Sequence, residues 1–518
     1  MTQCAIATPH VLATEAGVAA YRHGGNAVDA ALAAAATLTV VYPHMCAVGG
    51  DVLALLAEPG GDVVALNGSG AAPAATDPEQ LGGEMPLSGP ATVTVPGAVR
   101  AWQTIAAAGR LPLRAALEAA IAHARDGVAV APSLARALDQ HGAELATDAG
   151  ARALFFADGR PLGEGMSLVQ PALARSLAAI ADIGAEAFYG PEVGGPLVEG
   201  LRALGSRITL DDLRAHETER TAPLRGAFGG DEVLTTPPNS QGFVLLQTLN
   251  AIERLGDVPD PLGPQAAVLA ELFRLGALDR DLHLADPRFA DVPLDRLLSG
   301  DYAEDLLARA REGASAARPE PTGRASGDTV AVVTADADGN AVSLIQSVFH
   351  AFGAQIVEPR TGILCHNRGA SFSLDPDSPN RLAPGKRPAH TLMPVLVRRD
   401  GAVVGVHGTM GGRAQAQIHT HLMLRVARGE DAAAALSAPR FVVGGLDAGD
   451  PTDTVLVEAR VDDGTVERFR TAGMPVVTLD DVDENVGHAQ MIRRGPGGEL
   501  TAATDPRADG SARVIDPG

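Results

Sequence analysis

Long apolar stretches near the start of the chain are separated by short polar breaks, which predicts two helices followed by a strand pair. Thr14 can cap the first helix, and Gly24-Gly25 separates it from the second. The second helix is rich in alanine and carries an apolar stripe at helical spacing, formed by Val28, Leu32, Ala35 and Ala36. Short apolar runs over 51–56 and 62–66 flank a Glu-Pro-Gly-Gly turn, which predicts a β-hairpin.

The pattern changes near position 311. Residues 111–311 are mostly helical in periodicity, with Pro and Gly breaks at 190–196 and 235–242. Residues 311–328 are rich in Gly, Ala, Ser, Pro and charge, which predicts an exposed, flexible linker. Two β-rich runs around an Asp-Gly turn follow at once, and they predict a second hairpin with Thr329 at its start.

Composition restricts the partners of this chain. It has 518 residues, and its 63 acidic and 41 basic side chains give a formal net charge of −22. Nucleic acids and anionic membranes would repel that charge, so we expect neither as a partner. The N-terminus does not resemble a secretory signal, and the most apolar stretch, 30–42, is too short to span a bilayer. These features favour a cytoplasmic protein of about three domains or one large α/β unit.

The sequence gives no indication of a metal or an organic cofactor. The 14 histidines include no His-Glu-x-x-His motif. Cys4, Cys46 and Cys365 are widely spaced and form no Cys-x-x-Cys pair, so we expect neither a zinc site nor a disulfide framework. The Gly-Gly pairs are too short for a phosphate loop.

Thr329 is the residue whose position suggests chemistry. A threonine hydroxyl is a weak nucleophile unless a base lies beside it. If the chain is cut before this residue, the freed α-amine supplies that base, because its ordinary pKa of about 7.7–8.0 leaves it partly neutral. Flexible chain before Thr329 and a strand after it suit such a cut. Position alone leaves open that Thr329 is an ordinary strand-forming residue.

Several motifs along the chain resemble those of the γ-glutamyltransferase family, in the same order. The junction at 328–343, Asp-Thr-Val-Ala-Val-Val followed by Asp-Gly-Asn-Ala-Val-Ser, is similar to the family's autoprocessing site. Motifs similar to those of its N-terminal helices, mid-chain segments and small subunit lie at 13–17, 23–31, 238–247, 285–288, 392–394, 408–412, 438–441 and 505–507. The resemblance covers essentially the whole chain.

This resemblance implies an N-terminal-nucleophile hydrolase of the α/β class with an αββα-sandwich fold. It implies that the precursor cleaves itself between Asp328 and Thr329. The products would be a large chain, 1–328, and a small chain, 329–518, which stay together and can pair further as a dimer of αβ units.

The resemblance also implies the catalytic roles. Thr329 would attack an acyl carbonyl, and Ser347 would hydrogen-bond the nucleophile. The backbone N–H groups of Gly411 and Gly412 would form the oxyanion hole, since glycine leaves such groups unobstructed. Without Thr329, the glycine pair is typical of a plain turn.

The pocket residues differ from those of typical members. Phe349 stands in place of an Asn, and Arg368 in place of a Gln. Ser371 stands where the family has the Asp that holds the substrate's ammonium group. His390 and Thr391 stand in place of two serines.

A carboxylate that binds ammonium is therefore lost, and a guanidinium is gained. A small anionic acyl group suits such a pocket better than a zwitterionic glutamyl group, with Arg368 making a two-pronged contact to a carboxylate. The combination resembles the branch of the family that includes oxamate amidohydrolases, although 67–73 lacks the Arg of typical members. The sequence leaves open whether Arg368 and Arg413 face the pocket or the solvent, and whether His390 contacts substrate.

The leading hypothesis is a self-cleaving Thr-nucleophile amidohydrolase that hydrolyses a small carboxylated amide through an acyl-enzyme. One alternative is glutathione hydrolysis or γ-glutamyl transfer. Another is acyl transfer or oxalyl-type bond cleavage in a specialised biosynthetic pathway. A third is a non-catalytic homologue that serves as a binding partner, although retention of Thr329, Ser347 and the glycine pair speaks against it.

Overall fold

The structure, a computed structural model, describes residues 3–313, 328–445 and 453–516. Within these ranges two large antiparallel sheets face each other, and helices cover the outer side of each sheet. The order of layers is helix, sheet, sheet, helix. This order confirms the predicted αββα sandwich.

The strands of the described residues are β1 (Cys4–Thr8), β2 (Asp51–Ala57), β3 (Val63–Asn67), β4 (Val128–Ala129), β5 (Phe156–Ala157), β6 (Arg160–Pro161), β7 (Ser167–Leu168), β8 (Glu219–Thr221), β9 (Leu224–Phe228), β10 (Asp231–Thr235), β11 (Asp328–Ala335), β12 (Ala341–Phe349), β13 (Val357–Glu358), β14 (Ile363–Leu364), β15 (Val395–Arg399), β16 (Ala402–Thr409), β17 (Phe441–Val443), β18 (Val455–Glu458), β19 (Val476–Leu479), β20 (Ala489–Arg494), β21 (Leu500–Thr504) and β22 (Ser511–Ile515).

The helices of the described residues are α1 (Val11–Arg22), α2 (Ala27–Val41), α3 (Ala98–Ala106), α4 (Leu113–Asp126), α5 (Pro132–Leu145), α6 (Ala149–Phe155), α7 (Pro171–Ile183), α8 (Ala185–Tyr189), α9 (Gly194–Ala203), α10 (Leu210–Arg214), α11 (Gly242–Glu253), α12 (Ala266–His283), α13 (Leu294–Leu297), α14 (Gly300–Gly313), α15 (Gln415–Ala427), α16 (Ala432–Ser437) and α17 (Asp463–Thr471).

The two sheets are built from strands that are distant in the chain. The first has the order β22-β1-β11-β12-β2-β3-β8, and the second has the order β21-β20-β16-β15-β10-β9. Strands from before and after Thr329 are neighbours at three places in the first sheet, β22–β1, β1–β11 and β12–β2, so the two parts of the chain share one hydrogen-bonded layer. The apolar layer between the sheets includes Leu55 and Val333 from the first sheet and Leu396 and Val406 from the second.

The outer layers follow from the apolar faces of the helices. Helix α2 is buried along its whole length and packs on β11 and β12, where its alanines allow close approach. Helices α11 and α15 cover the second sheet. The glycine break at 24–25 is confirmed, and Asn26 then begins α2 through a capping box with Asp29.

The prediction that Thr14 caps the first helix is wrong. His10 caps α1, because its ring Nδ1 accepts a hydrogen bond from the Leu12 N–H at 3.2 Å. Thr14 lies in the first turn of that helix, where its hydroxyl donates to the carbonyl of Ser511 instead. A helix start with a histidine cap lacks the Ser, Thr, Asp or Asn signal on which the prediction depended.

Both predicted hairpins are confirmed, since β2 pairs with β3 and β11 pairs with β12. Residues 111–311 are mostly helical as predicted, but they also supply β9 and β10 to the second sheet. The linker boundaries need correction, because α14 continues to Gly313 and Asp328 already belongs to β11. The rest of the predicted linker, 314–327, lies outside the described residues.

The helices of the described residues differ from membrane-spanning helices in length or in polarity. In those three ranges, each helix is too short or too polar to cross a bilayer.

Candidate active site

Thr329 is held at the beginning of β11, in the centre of the first sheet. The register between β11 and β12 shifts between Asp328 and Val330, and such an irregularity re-aims the side chain at that point. The Thr329 side chain is buried, and its Oγ1 donates a hydrogen bond to Oγ of Ser347 at 3.1 Å. The predicted contact between these two hydroxyl groups is present.

Ser347 lies between the threonine and a carboxylate on the next strand. Its Oγ accepts a hydrogen bond from the Phe349 N–H at 2.8 Å, which fixes the serine side chain. Ser347 lies directly opposite Asp51 in the pairing of β12 with β2. Residues directly opposite each other project from the same face of a sheet. Thr329, Ser347 and Asp51 therefore form a row across three adjacent strands.

The Gly411–Gly412 turn connects β16 to the short segment before α15. Both glycines have positive φ, +146° and +46°, and a Cβ at Gly411 would lie 2.3 Å from Cδ1 of Ile418. Only glycine meets both conditions without strain. Within the described residues, neither amide N–H of this pair donates a hydrogen bond to the protein. The turn therefore offers two backbone donors to an oxyanion.

Packing of the two sheets brings this turn towards Thr329. A Cβ at Gly408, near the end of β16, would lie 2.9 Å from Cβ of Ala331 on β11. Ser343, further along the first sheet, donates to the carbonyl of His407 at 2.6 Å. The end of β16 therefore overlies the beginning of β11, and the turn that follows β16 lies at the end where Thr329 is located.

Gln241 fixes the turn from the large-chain side. Its Nε2 donates to the carbonyls of Gly412 at 2.9 Å and Thr391 at 2.7 Å, while its backbone N–H donates to the carbonyl of His390. The buried side-chain amide of Gln241 therefore fixes the position of the glycine turn relative to the 390–391 segment.

Arg368 is fully buried, so the alternative of a solvated loop arginine is wrong. The centre of its guanidinium lies 4.0 Å from the centroid of the Phe349 ring, a cation–π contact. Its Nη1 donates to the Thr391 hydroxyl at 3.1 Å. The structure thus brings Arg368, Phe349 and Thr391 into direct contact.

Asp51 connects these residues through a single carboxylate oxygen. Its Oδ2 lies 3.2 Å from Nδ1 of His366, 3.2 Å from Nε2 of His390 and 3.9 Å from Nε of Arg368. All four side chains have zero exposure. Burial by itself would raise the pKa of Asp51, but the two histidines hold that pKa well below its usual range. We call these four residues the site cluster.

His390, the histidine of this cluster that the sequence analysis predicted as a site residue, is neutral. Burial, followed by the nearby Arg368 cation, lowers the pKa of His390 to about 3. His390 therefore contacts the charged groups of the site, which favours the site interpretation over an unrelated structural one.

A cleft of about 610 Å³ opens beside the site cluster. Its lining includes Phe349, His390 and Thr391, and Thr329 and Arg368 are buried rather than exposed in it. Arg413 also lines the cleft and pairs with Asp281, with Nη2 2.6 Å from Oδ1, so Arg413 faces the cleft and not only the solvent.

Ser371 lines the cleft, but its hydroxyl is engaged by the backbone. Its Oγ lies 3.0 Å from the carbonyl oxygen of Arg368 and 2.8 Å from that of Ala389, both of which accept from it. The hydroxyl therefore stabilises the loop that carries Arg368. Its role as a substrate contact stays a prediction.

Asp51 and His366 were missed as site residues by the sequence analysis. Asp51 begins an apolar run, and the run predicts a strand without showing which neighbour faces its first residue. The available signal was a carboxylate in a strand whose other residues are all apolar, since buried carboxylates are rare without a partner.

In 3–313, 328–445 and 453–516, no group of three or more His, Cys, Asp and Glu side chains is arranged to hold a metal ion. That no metal or cofactor takes part stays a prediction.

The four-layer fold, with a buried threonine at a strand start and a glycine turn above it, defines the class of N-terminal-nucleophile amidohydrolases. The family model described as Gamma-glutamyltranspeptidase matches residues 13–515. The chain therefore belongs to the γ-glutamyltranspeptidase family, and it is an enzyme of the hydrolase and acyltransferase type found there.

Two relatives and one solved structure illustrate this similarity. The chain is 38% identical to the oxamate amidohydrolase proenzyme of Klebsiella pneumoniae subsp. pneumoniae, over 97% of each chain. It is 38% identical to the glutathione hydrolase-like YwrD proenzyme of Bacillus subtilis, over 99% of this chain and 98% of the relative. The cephalosporin acylase of Bacillus halodurans superposes with a TM-score of 0.90 at 33% identity, covering 99% of this chain and 96% of the acylase.

Proposed function

We propose that Thr329 is the nucleophile of a self-cleaving amidohydrolase that acts on a small carboxylated amide. The hydrogen bond from Thr329 Oγ1 to Ser347, at the buried start of β11, is the observation that carries the proposal. Cleavage of the Asp328–Thr329 bond would expose an α-amine on the same residue, and this amine would act as the general base.

The reaction then has two acyl-transfer steps. Thr329 Oγ1 attacks the amide carbonyl and passes its proton to the α-amine, which returns it to the leaving amine. The Gly411 and Gly412 N–H groups stabilise the developing oxyanion, a contribution typically worth about 10²–10³ in rate for each donor. Water, activated by the same α-amine, hydrolyses the acyl-enzyme.

Cleavage would give chains 1–328 and 329–518 that cannot separate easily. Strands of the two chains pair with each other in the first sheet, so the sheet itself would hold them together. Asp328 pairs with Phe349 in the uncut chain. The cut would remove one constraint on Phe349, the residue that covers the Arg368 guanidinium.

Arg368 supports the choice of a carboxylated substrate. Phe349 stacks on its guanidinium and Thr391 orients it, and a planar guanidinium matches a carboxylate with two parallel hydrogen bonds. Similarity to a proenzyme named for oxamate agrees with an amide that bears an adjacent carboxylate.

A panel of three amides tests this function on purified, processed protein. We expect release of ammonia from oxamate, little or none from acetamide, which lacks the carboxylate, and little aniline from a γ-glutamyl anilide. The Thr329→Ala variant should lose both processing and turnover, whereas Thr329→Ser, which keeps a hydroxyl and an α-amine, should retain part of each. Faster turnover of the γ-glutamyl anilide than of oxamate would favour glutathione hydrolysis or γ-glutamyl transfer instead.

The size of the cleft favours a second candidate, hydrolysis of an amide with a large amine part. Its volume of about 610 Å³ falls in the range of sites for drug-sized ligands, about 300–1,000 Å³, and exceeds what oxamate needs. An N-oxalyl amide of an aromatic amine would distinguish the two: a lower KM than oxamate supports the larger substrate, and no turnover excludes it.

Location and assembly stay predictions of the proposal. A cytoplasmic enzyme with αβ units that can pair is expected, and fractionation of cells and light scattering of the purified protein test the two points.

A further inference from the structure

Two peptide planes connect the glycine turn to Arg280, a buried residue near the end of α12. Nη1 of Arg280 donates to the carbonyl of Arg413 at 3.0 Å. The N–H of the same peptide group belongs to Ala414 and donates to the carbonyl of Gly411 at 2.8 Å. That carbonyl shares its plane with the N–H of Gly412, one of the two proposed oxyanion donors. Because peptide groups are planar, the guanidinium fixes the direction of this donor through two hydrogen bonds.

A second route from the same nitrogen passes through Gln241. Nη1 of Arg280 lies 3.4 Å from Oε1 of Gln241, and Nε2 of Gln241 donates to the carbonyl of Gly412 at 2.9 Å. A reversed amide would place its oxygen against the carbonyls of Thr391 and Gly412, and its nitrogen against a guanidinium that can only donate. Arg280 thus stabilises the one orientation in which Gln241 holds the turn.

The turn depends on such contacts because its own backbone restrains it little. Gly411 and Gly412 both have positive φ, and glycine loses more conformational freedom on ordering than any other residue. Backbone donors stabilise an oxyanion best when they are held in place before it forms, since they then need no reorganisation during the reaction. The hydrogen bonds of Arg280 supply this restraint from outside the turn.

Arg280 is in turn held by its neighbour on α12. Its Nε donates to Oδ1 of Asp281 at 3.0 Å, and the same oxygen accepts from Nη2 of Arg413 at 2.6 Å. Burial would raise the pKa of Asp281, but the two arginines hold that pKa below its usual value. Two consecutive residues of α12 therefore contact the backbone and the side chain of Arg413.

We infer that Arg280 is a positioning residue for the oxyanion hole, whose guanidinium sets the direction of the Gly412 N–H. The inference rests on the proposed function, because it concerns the same acyl-transfer steps. Arg280 also borders the cleft, so direct contact with the substrate is the alternative role. The two roles differ in kinetics, because a substrate contact acts on KM, whereas oxyanion stabilisation is gained only in the transition state and acts on kcat.

Steady-state kinetics of Arg280→Met tests the inference, with the amide of the panel that the wild-type enzyme hydrolyses fastest. Rates are expressed per small chain that begins at Thr329, so that incomplete processing does not affect them. We expect kcat to fall about 10–100-fold, because the donor is loosened rather than removed, and KM to change less than about threefold. Arg280→Lys, which can replace only one of the two contacts, should lie between Arg280→Met and the wild type, at least about threefold below the latter in kcat.

Two further measurements distinguish positioning from a general loss of structure. The matched control is Arg274→Met, six residues earlier on α12, where the Arg274 Nε lies 2.9 Å from Oε1 of Glu271. This variant should keep kcat whatever its effect on the urea midpoint. In the double variant with Gln241→Met, the loss of kcat should be smaller than the product of the two single losses, because both changes act on one turn.

The outcomes separate the inference from the proposed function. Unchanged kcat in Arg280→Met, a loss confined to KM, or single losses that multiply in the double variant would overturn the inference and leave the proposed function intact. If Arg280→Met does not fold, Arg280→Lys is judged by the same criteria. A wild-type protein that hydrolyses none of the three amides would overturn the proposed function and the inference with it.

Discussion

Two groups of buried charges in this molecule differ in how their acidic and basic side chains are arranged. The site cluster has one carboxylate, Asp51, beside a guanidinium and two imidazoles. A second group, here called the interior cluster, contains Arg440, Glu458, Asp505 and Arg507, and all four side chains are buried. Its two arginines come from the 438–441 and 505–507 motifs of the sequence.

The interior cluster is balanced in charge and dense in hydrogen bonds. Arg507 donates to both oxygens of Glu458, at 2.8 and 2.5 Å, and to Asp505 at 2.9 Å. Arg440 donates to Asp505 at 2.6 Å and to two backbone carbonyls. Burial alone would raise the pKa of Asp505, but the two arginines hold it below its usual value.

The difference indicates separate roles. In the interior cluster two acidic and two basic side chains balance each other's charge through directed hydrogen bonds. The cluster therefore fixes the positions of the strands around it. In the site cluster one carboxylate oxygen lies within 4 Å of three basic side chains, and the proposed substrate would bring a second carboxylate to this region. Under the proposed function, equally buried charges therefore support the fold in one region and bind substrate in the other.

Breaking the interior cluster should have the largest effect, and the effect should be on stability. Arg507→Met leaves Glu458 and Asp505 buried with unbalanced charge, so we expect a loss of about 3–5 kcal/mol in the free energy of unfolding. Urea denaturation measures it, with the exposed Arg513→Met as the control. A loss below about 1 kcal/mol would contradict the architectural role.

Breaking the site cluster should act on catalysis. Arg368→Met removes the predicted carboxylate ligand, so we expect kcat/KM for oxamate to fall roughly 100-fold, about 2.7 kcal/mol. Arg368→Lys should recover part of that loss at most, since an ammonium lacks the planar fork. Steady-state kinetics and urea denaturation of the same preparations distinguish a role of Arg368 in catalysis from a role in stability. A large loss of stability with unchanged kcat/KM would reverse the assignment.

Acid should destabilise the protein through buried neutral histidines outside both clusters. Burial lowers the pKa of His407 and His419 to about 3, whereas the unfolded chain takes up these protons near pH 6.5. Stability is therefore fully present above pH 6.5 and falls as the pH drops towards 3, by about 1.4 kcal/mol per pH unit for each such histidine. Urea midpoints at several pH values measure the slope. His419→Gln should reduce it, and His23→Gln, at an exposed position, should not.

The smallest effect is expected at Ser371. Because its hydroxyl lies within hydrogen-bond distance of two backbone carbonyls, Ser371→Ala should lower stability by about 1 kcal/mol and change KM less than about threefold. Kinetics with oxamate checks this. A tenfold rise in KM would instead indicate that Ser371 contacts the substrate directly.

The parts of this account that could be predicted from the sequence are local. The hairpin that begins at Thr329 follows from two β-rich runs around an Asp-Gly turn, and the glycine pair at 411–412 has a backbone conformation that glycine favours. The four-layer fold came from the resemblance of ordered motifs, which local periodicity could not supply.

The remaining features depend on contacts between distant segments. Arg368 is separated from Asp51 by most of the chain, and only the sheet register and the loop after β14 bring their side chains together. An arginine in a loop is usually exposed, so its complete burial could not be read from its neighbours. Likewise, the structural role of the 505–507 motif could not be predicted from the sequence, because it depends on the ion pair between Arg507 and Glu458.

Mass spectrometry of freshly purified, active protein tests the central claim most directly. Thr329 as an autocatalytic nucleophile predicts two polypeptides, with the smaller one beginning at Thr329 and gaining the mass of an acyl group when it is quenched during turnover. A fully active preparation that consists of a single uncut chain would contradict it.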